Sequence, residues 1–281
     1  LSVENISKSF GDRMLFENLS FGINKDQKIG FVAKNGTGKT TLLNIIAGDE
    51  TPDQGNIIIR KDIKVAYLSQ KEDLNEELSI EETIFDSDNA TLKIIEQYEK
   101  ALKHPDDADA YQKAFDLMEQ KNAWDFETQY KQILFKLKLD ELDKKVGSLS
   151  GGQKKRLALA IILLDQPDLL ILDEPTNHLD LEMIEWLEQY LKKANTTLFM
   201  VTHDRYFLDR VCNDILELDH GNMFRYKGNY SYFLEKKEER ITAEQSTISK
   251  AKNLFKKELE WMRRQPKART TKSKSRIDDF H

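Results

Sequence analysis

The sequence predicts an α/β fold with a largely parallel sheet, interrupted by a block of helices. Three observations carry this. The run Leu169-Leu170-Ile171-Leu172 is apolar at every position, as a strand buried on both faces requires. Another short run, Lys28 to Val32, passes through a glycine-bearing loop straight into Leu42-Leu43-Asn44-Ile45-Ile46-Ala47, which reads as a helix start. From about 79 to 146 glycine is absent, charges are dense and apolar residues recur at helical spacing.

In chain order, Leu1 to Ile6, Leu15 to Ile23 and Lys28 to Val32 read as strands, separated by turn signals at Gly11-Asp12 and Asn24-Lys25-Asp26. Gly48 and Pro52-Asp53-Gln54-Gly55 end the first helix, and strands follow at Asn56 to Arg60 and Lys64 to Leu68. Within the helical block, Ile84, Leu92, Ile95, Tyr98 and Leu102 fit one face. Tyr111, Ala114, Phe115 and Met118 fit a second, and Trp124, Ile133, Leu134, Leu137 and Leu139 a third. His104-Pro105-Asp106-Asp107 breaks the helices between them. The block is expected to be a subdomain of about 79–165 inserted into a body of 1–235. After it come the strand ending at Asp173-Glu174, a helix from Leu181 to Leu191, and a strand from Thr197 to Val201. A hairpin over Asp214 to Leu218 and Met223 to Tyr226 follows.

The last stretch, 236–281, has a different character. Leu234, Ile241, Ile248, Phe255 and Met262 recur every seven residues, the mark of a coiled-coil seam, with Ala251 and Leu259 beside them. Gln265-Pro266 interrupts it, and an antiparallel partner helix is expected next. Residues 236–281 hold 14 Lys/Arg and 7 Asp/Glu, whereas the whole chain has a net charge of −6. The body is therefore acidic and the tip basic, which suggests that the tip meets a polyanion. At 281 residues there is room for one sizeable domain with an appendage. No apolar run reaches the ~18 residues of a membrane span. Leu1 is not an initiator Met and no secretory leader is visible, so a portion of a cytoplasmic protein is expected. The single Cys212 sits in an apolar stretch and reads as a packed thiol.

Chemistry concentrates at Phe31-Val32-Ala33-Lys34-Asn35-Gly36-Thr37-Gly38-Lys39-Thr40-Thr41. Strand, Gly-rich loop and helix form a phosphate cradle: Asn35, Gly36, Thr37, Gly38 and Thr41 wrap the anion with backbone N–H groups. Lys39 reaches the outer phosphates of ATP and the Thr40 hydroxyl holds Mg²⁺. Ala33 stands where this pattern has its first glycine, so its backbone angles matter. A second anion site is readable at Ser150, Gly151, Gly152 and Gln153, where capping-box spacing starts an apolar helix behind two glycines.

Leu149-Ser150-Gly151-Gly152-Gln153 is the signature of the ATP-binding-cassette (ABC) superfamily, which the chain resembles from residue 1 to about 235. The resemblance implies a P-loop ATPase of nucleotide-binding-domain type that hydrolyses ATP to ADP and phosphate. In that family two cassettes meet head to tail, each signature facing the nucleotide held by the other P-loop. A second cassette in the same full-length chain is therefore the implied partner. The resemblance makes Asp173 the Walker B acid that orients Mg²⁺ and Glu174 the base that polarises water. It makes Gln70 the Q-loop residue near Mg²⁺, His203 the switch histidine, Phe10 the adenine-stacking aromatic, and Asp180 the D-loop acid.

Pro175-Thr176-Asn177-His178-Leu179-Asp180, Thr202 to Asp209 and Gly228-Asn229-Tyr230-Ser231 resemble the ABC-F branch, and the Uup-like subgroup most closely. Leu259 to Lys274 resembles the tip of that branch's interdomain linker. The resemblance implies that Arg263, Arg264, Lys267, Arg269, Lys272, Lys274 and Arg276 contact nucleic acid, here ribosomal RNA and tRNA. Closure of the cassettes on ATP is then expected to move this lever in translation. An ATPase acting on branched DNA is the alternative reading, and the motor subunit of a membrane transporter a weaker one. A transporter cassette needs a docking surface for membrane helices and has no use for a basic heptad tip.

Overall fold

The structure, a computed structural model, describes residues 1–263 except 71–73, 88 and 105, and excludes the side chains of 258 and 261–263. The chain divides into two units, Leu1–Tyr230 and Ser231–His281. In the first unit the apolar runs become strands β1 (Ser2–Phe10), β2 (Arg13–Gly22), β3 (Lys28–Ala33), β4 (Gln54–Ile58) and β5 (Val65–Leu68), with α1 (Lys39–Ala47) after β3. The helical block is α2 (Ile80–Phe85), α3 (Ala90–Lys103), α4 (Ala108–Gln120), α5 (Trp124–Lys136) and α6 (Gly151–Leu164). Then come β6 (Leu169–Asp173), α7 (Leu181–Lys193), β7 (Thr197–Val201), α8 (Arg205–Val211), β8 (Asp214–Asp219) and β9 (Asn222–Tyr226).

Two sheets form. The larger has the order β5-β6-β7-β3-β8-β9, parallel from β5 to β8 and closed at one edge by the antiparallel β9. All five residues of β6 and all five of β7 are buried, which explains their unbroken apolar character. The smaller sheet, β2-β1-β4, is antiparallel. Its inward residues Val3, Ile6, Phe16 and Leu19 share one core with Ile29 and Phe31 of β3, Leu42, Leu43 and Ile46 of α1, and Phe199 of β7. The Phe199 ring lies 5.9 Å from that of Phe21 and 5.8 Å from that of Phe31, so one side chain joins both sheets.

The helical block starts at a capping box, where Ser79 and Glu82 satisfy each other's backbone N–H groups. Asn89 caps α3 and Asp107 caps α4, so polar residues set both starts. Tyr98, Tyr111, Phe115 and Trp124 pack as one aromatic group, with Tyr98 edge-on to Trp124 at 5.1 Å. Two expectations are corrected. Ile84 lies on the separate helix α2, because Asn89 restarts the helix behind it. Leu102 is exposed, and Ala101 is buried in its place, because the last turn of α3 turns that face to solvent.

In the second unit α9 (Tyr230–Arg263) is one uninterrupted helix. Its Leu234, Ile241, Ile248 and Phe255 are exposed. The side chain of Met262 and the Gln265-Pro266 interruption lie outside the described residues.

Truncating the shared ring tests this core. Phe199→Ala should cost about 3–5 kcal/mol in urea unfolding, the price of a large buried aromatic.

Candidate nucleotide site

The site forms where parallel strands end together. In register, Asp173 of β6 lies beside Val201 of β7, and Ala33 of β3 beside Leu218 of β8. Ala33 is in ordinary extended backbone and does not take a positive φ, so a Cβ is accommodated there without strain. The loop beyond it turns through Gly36 (φ 76°) and Gly38 (φ 89°), the left-handed region that favours glycine. Gly38 is the N-cap of α1 and supplies no side-chain cap. The first N–H groups of the helix therefore point outward for an external anion.

Lys39 folds back over the loop, donating from Nζ to Asn35 Oδ1 (3.0 Å) and to the Ala33 carbonyl (3.2 Å). Burial holds its pKa below the usual lysine range, with the charges of Glu174 and Asp173 opposing that shift. Thr40 Oγ1 donates to Asp173 Oδ2 at 2.8 Å, and Gln70 Nε2 approaches the same hydroxyl at 3.5 Å. Asp173 is 1% exposed, and its other oxygen, Oδ1, is buried with no hydrogen-bond partner among the described residues. A buried carboxylate oxygen with nothing bonded to it, beside a hydroxyl and an amide, fits a hard divalent cation and its waters.

Glu174 follows with φ 52°, an unusual value for a side chain with a Cβ. That turn aims its carboxylate at His203. The His203 N–H donates to Glu174 Oε2 at 3.2 Å, and His203 Nε2 lies 3.5 Å from Oε1. Glu174 is buried while the imidazole is mostly exposed, so the pair spans the boundary between core and solvent.

Gln70, Lys39, Thr40, Asp173, Glu174 and His203 are thus linked by direct contacts or by charge, while other expected site residues make their contacts elsewhere. Ser150 caps α6 through a complete capping box, accepting from the Gln153 N–H at 3.3 Å and donating its own N–H to Gln153 Oε1 at 3.0 Å. A Cβ at Gly151 would meet open space, so that turn is free to approach a ligand. Phe10 stands exposed at the end of β1, its ring 5.7 Å from Lys8 Nζ. Asp180 caps α7 and pairs with Lys138 at 2.6 Å. Cys212 is buried, and burial pushes its thiol pKa up, as befits a packed thiol. Arg263 ends α9 with its side chain outside the described residues, and Arg264, Lys267, Arg269, Lys272, Lys274 and Arg276 lie outside them altogether.

Sequence reasoning missed two residues at this site. Arg13 Nη2 donates to the Gly36 carbonyl at 2.8 Å, bracing the loop from β2. Lys155 of α6 is buried against the carbonyl of Asp173. Neither had a signal, since a lone basic residue after a turn or on a helix is ordinary.

A phosphate-binding loop, a buried acid pair at the carboxyl end of β6 and a capped signature turn define a P-loop nucleotide-binding domain. Comparison with known proteins narrows this. The ABC transporter family matches residues 16–177, and an ABC transporter extension family matches residues 216–281. The chain is 46% identical to the uncharacterized ABC transporter ATP-binding protein YfmR of Bacillus subtilis, over 99% of this chain and 45% of that protein. It is 39% identical to the energy-dependent translational throttle protein EttA of Escherichia coli K12, over 95% of this chain and 50% of that protein. It thus spans about half the length of the curated relatives it matches. Among solved structures, the ATP-binding subunit of an ABC transporter superposes with a TM-score of 0.61 at 21% identity, covering 80% of this chain and 89% of that one. An archaeal ribosome recycling factor in complex with a ribosomal stalk protein superposes at 0.58 with 25% identity, covering 80% of this chain and 38% of that one. The chain belongs to the ATP-binding-cassette ATPases. No helix among the described residues is long and apolar enough to cross a membrane.

Two measurements probe the geometry. Ser150→Ala removes the cap of α6 and should lower stability by about 1 kcal/mol in urea unfolding. The Asp180 carboxyl is held below the usual carboxylate range, chiefly by its bond from Lys138. A lowered carboxyl pKa stabilises the fold above its unfolded value and ceases to do so as pH falls through the folded one. The stability difference between wild type and Lys138→Met should therefore be full at neutral pH and shrink toward zero below about pH 4.

Proposed function

We propose that the chain binds Mg²⁺·ATP and hydrolyses it, with residues 1–235 as the catalytic cassette and 236–281 as the start of a linker. One observation carries the reading: Gln70 approaches the Thr40 hydroxyl, which bonds buried Asp173, and Asp173 Oδ1, one residue before Glu174, has no partner among the described residues. Mg²⁺ there supplies charge neutralisation for the phosphates. Thr40, Gln70 and Asp173 are the residues that would hold it.

The chain's own groups account for the rest. Backbone N–H groups of the Gly36–Gly38 turn and the Lys39 ammonium bind and orient the phosphates. Glu174 takes a proton from the attacking water at Oε1, the oxygen nearest His203 Nε2. His203, anchored to Glu174 through its own N–H, orients the outer phosphate. Phosphoryl transfer asks little covalent chemistry of the protein, so positioning and charge suffice. Ser150, Gly151, Gly152 and Gln153 serve the nucleotide of a second cassette, head to tail, because the chain has a single P-loop and a single signature. Phe10, exposed, stacks on adenine.

The reading extends to translation. Relatives at 36–39% identity are energy-dependent translational throttle proteins, and a structural neighbour is a ribosome recycling factor. The basic run from Arg263 to Arg276 suits a phosphate backbone, since lysine and arginine neutralise charge without reading sequence. No relative or neighbour reported above points to branched DNA, and the basic heptad tip argues against the transporter alternative.

Lys39→Ala should weaken ATP binding about 10- to 100-fold by titration, as expected for lost charge-assisted hydrogen bonds. The parent protein carrying Glu174→Gln should hold ATP unhydrolysed and co-sediment with ribosomes, and its binding should weaken steeply with salt. Protein that stays off ribosomes in ATP, or that prefers junction DNA, overturns the translation reading. ATP binding that is indifferent to Lys39→Ala overturns the site.

A further inference from the structure

The hydrolysis just described leaves one buried cation among the described residues unused. Lys155 is 8% exposed, and no other lysine or arginine among the described residues is buried. Its Nζ lies 3.5 Å from the carbonyl oxygen of Asp173. Taking an ammonium out of water is costly, and a methionine of similar length would fill the space without that cost.

The position of this carbonyl is what makes the contact informative. It belongs to the peptide that joins Asp173 to Glu174. The N–H of the same peptide donates to the Val201 carbonyl at 2.8 Å. The peptide is therefore gripped at both ends, by β7 on one side and by α6 on the other. Immediately beyond it Glu174 adopts φ 52°, a left-handed conformation that is strained for a residue with a Cβ. Such a conformation persists only where its surroundings over-determine it. The same helix meets the chain again a few residues on. A Cβ at Gly152 would lie 3.3 Å from His178 Cβ, and His178 is also left-handed at φ 66°. Helix α6 thus bounds both ends of the 173–178 segment.

We propose that Lys155 is a positioning residue. It sets the 173–174 peptide, and through it the Glu174 carboxylate, and it ties that carboxylate to the signature turn at the start of the same helix. Five residues separate the Ser150 cap from Lys155, about 7.5 Å along a rigid axis. Displacement of the signature turn by nucleotide on a second cassette then reaches the base of this cassette through α6. The inference rests on the reading of Glu174 as base.

The test compares Lys155→Met with Lys155→Arg. In the nucleotide-free protein, Lys155→Met should speed amide hydrogen exchange across 174–179 and leave β6 and β7 protected, with Lys155→Arg closer to wild type. In the parent protein, with the second site silenced by the equivalent Glu→Gln substitution, Lys155→Met should cut kcat about 10- to 100-fold. The KM for ATP should stay within about twofold, and Lys155→Arg should recover part of the loss. Unchanged exchange across 174–179 overturns the proposal, as does deprotection that spreads through β6 and β7 with no benefit from arginine. Exchange that responds as expected in a protein with no ATPase activity would sink the hydrolysis reading and leave the positioning role standing.

Discussion

The site depends on one constraint, the parallel register of β6, β7 and β3 in a sheet covered on both faces. With every residue of β6 and β7 buried, these strands cannot slip without exposing apolar side chains, so their carboxyl ends are held level. Level ends put Asp173 next to Val201 and bring Thr40, at the start of α1, within 2.8 Å of Asp173. The small antiparallel sheet contributes by closing the core over α1, and Phe199 ties the two sheets together. The same sheet delivers Arg13 to the loop at Gly36 and Phe10 to the rim.

Burial and charge are traded at the end of β6. Asp173, Glu174 and Lys155 are all buried within a few residues of one another in space, yet none is placed in a simple ion pair with another. Asp173 bonds Thr40 through one oxygen, and the other has no donor among the described residues. Glu174 spends its carboxylate on His203, and Lys155 meets a backbone carbonyl. Unsatisfied or half-satisfied buried groups are expensive, and they persist where a ligand completes them. A strained φ at Glu174 beside them belongs to the same pattern.

The charge distribution along the chain separates two tasks. An acidic body carries a nucleotide site made positive locally by Lys39, helix α1 and the glycine turn. The basic run from Arg263 to Arg276 follows in sequence, in the separate 231–281 unit. Leu234, Ile241, Ile248 and Phe255 are exposed along α9. An apolar stripe with polar flanks is the form a partner helix requires, and its period of seven names the mode of packing.

Much of this was legible in the sequence because it depends on local chemistry. A glycine turn between strand and helix, a capping box at Ser150 and Gln153, acids ending an all-apolar strand and a seven-residue apolar period are each set by neighbours along the chain. The residues of the P-loop, the signature and α9 could therefore be read directly. The small antiparallel sheet, the exposed turn of Leu102, the reach of Arg13 to Gly36 and the burial of Lys155 under Asp173 could not. Arg13 and Gly36 lie 23 residues apart and Lys155 and Asp173 18 apart, and a lone Arg or Lys has the same local pattern whether it meets water or a carbonyl. What the sequence determined by itself was which chemistry is present and on which element. Which oxygen of Asp173 stays unpaired, and which lysine is buried beneath it, was decided only when packing brought α6 against the ends of β6 and β7.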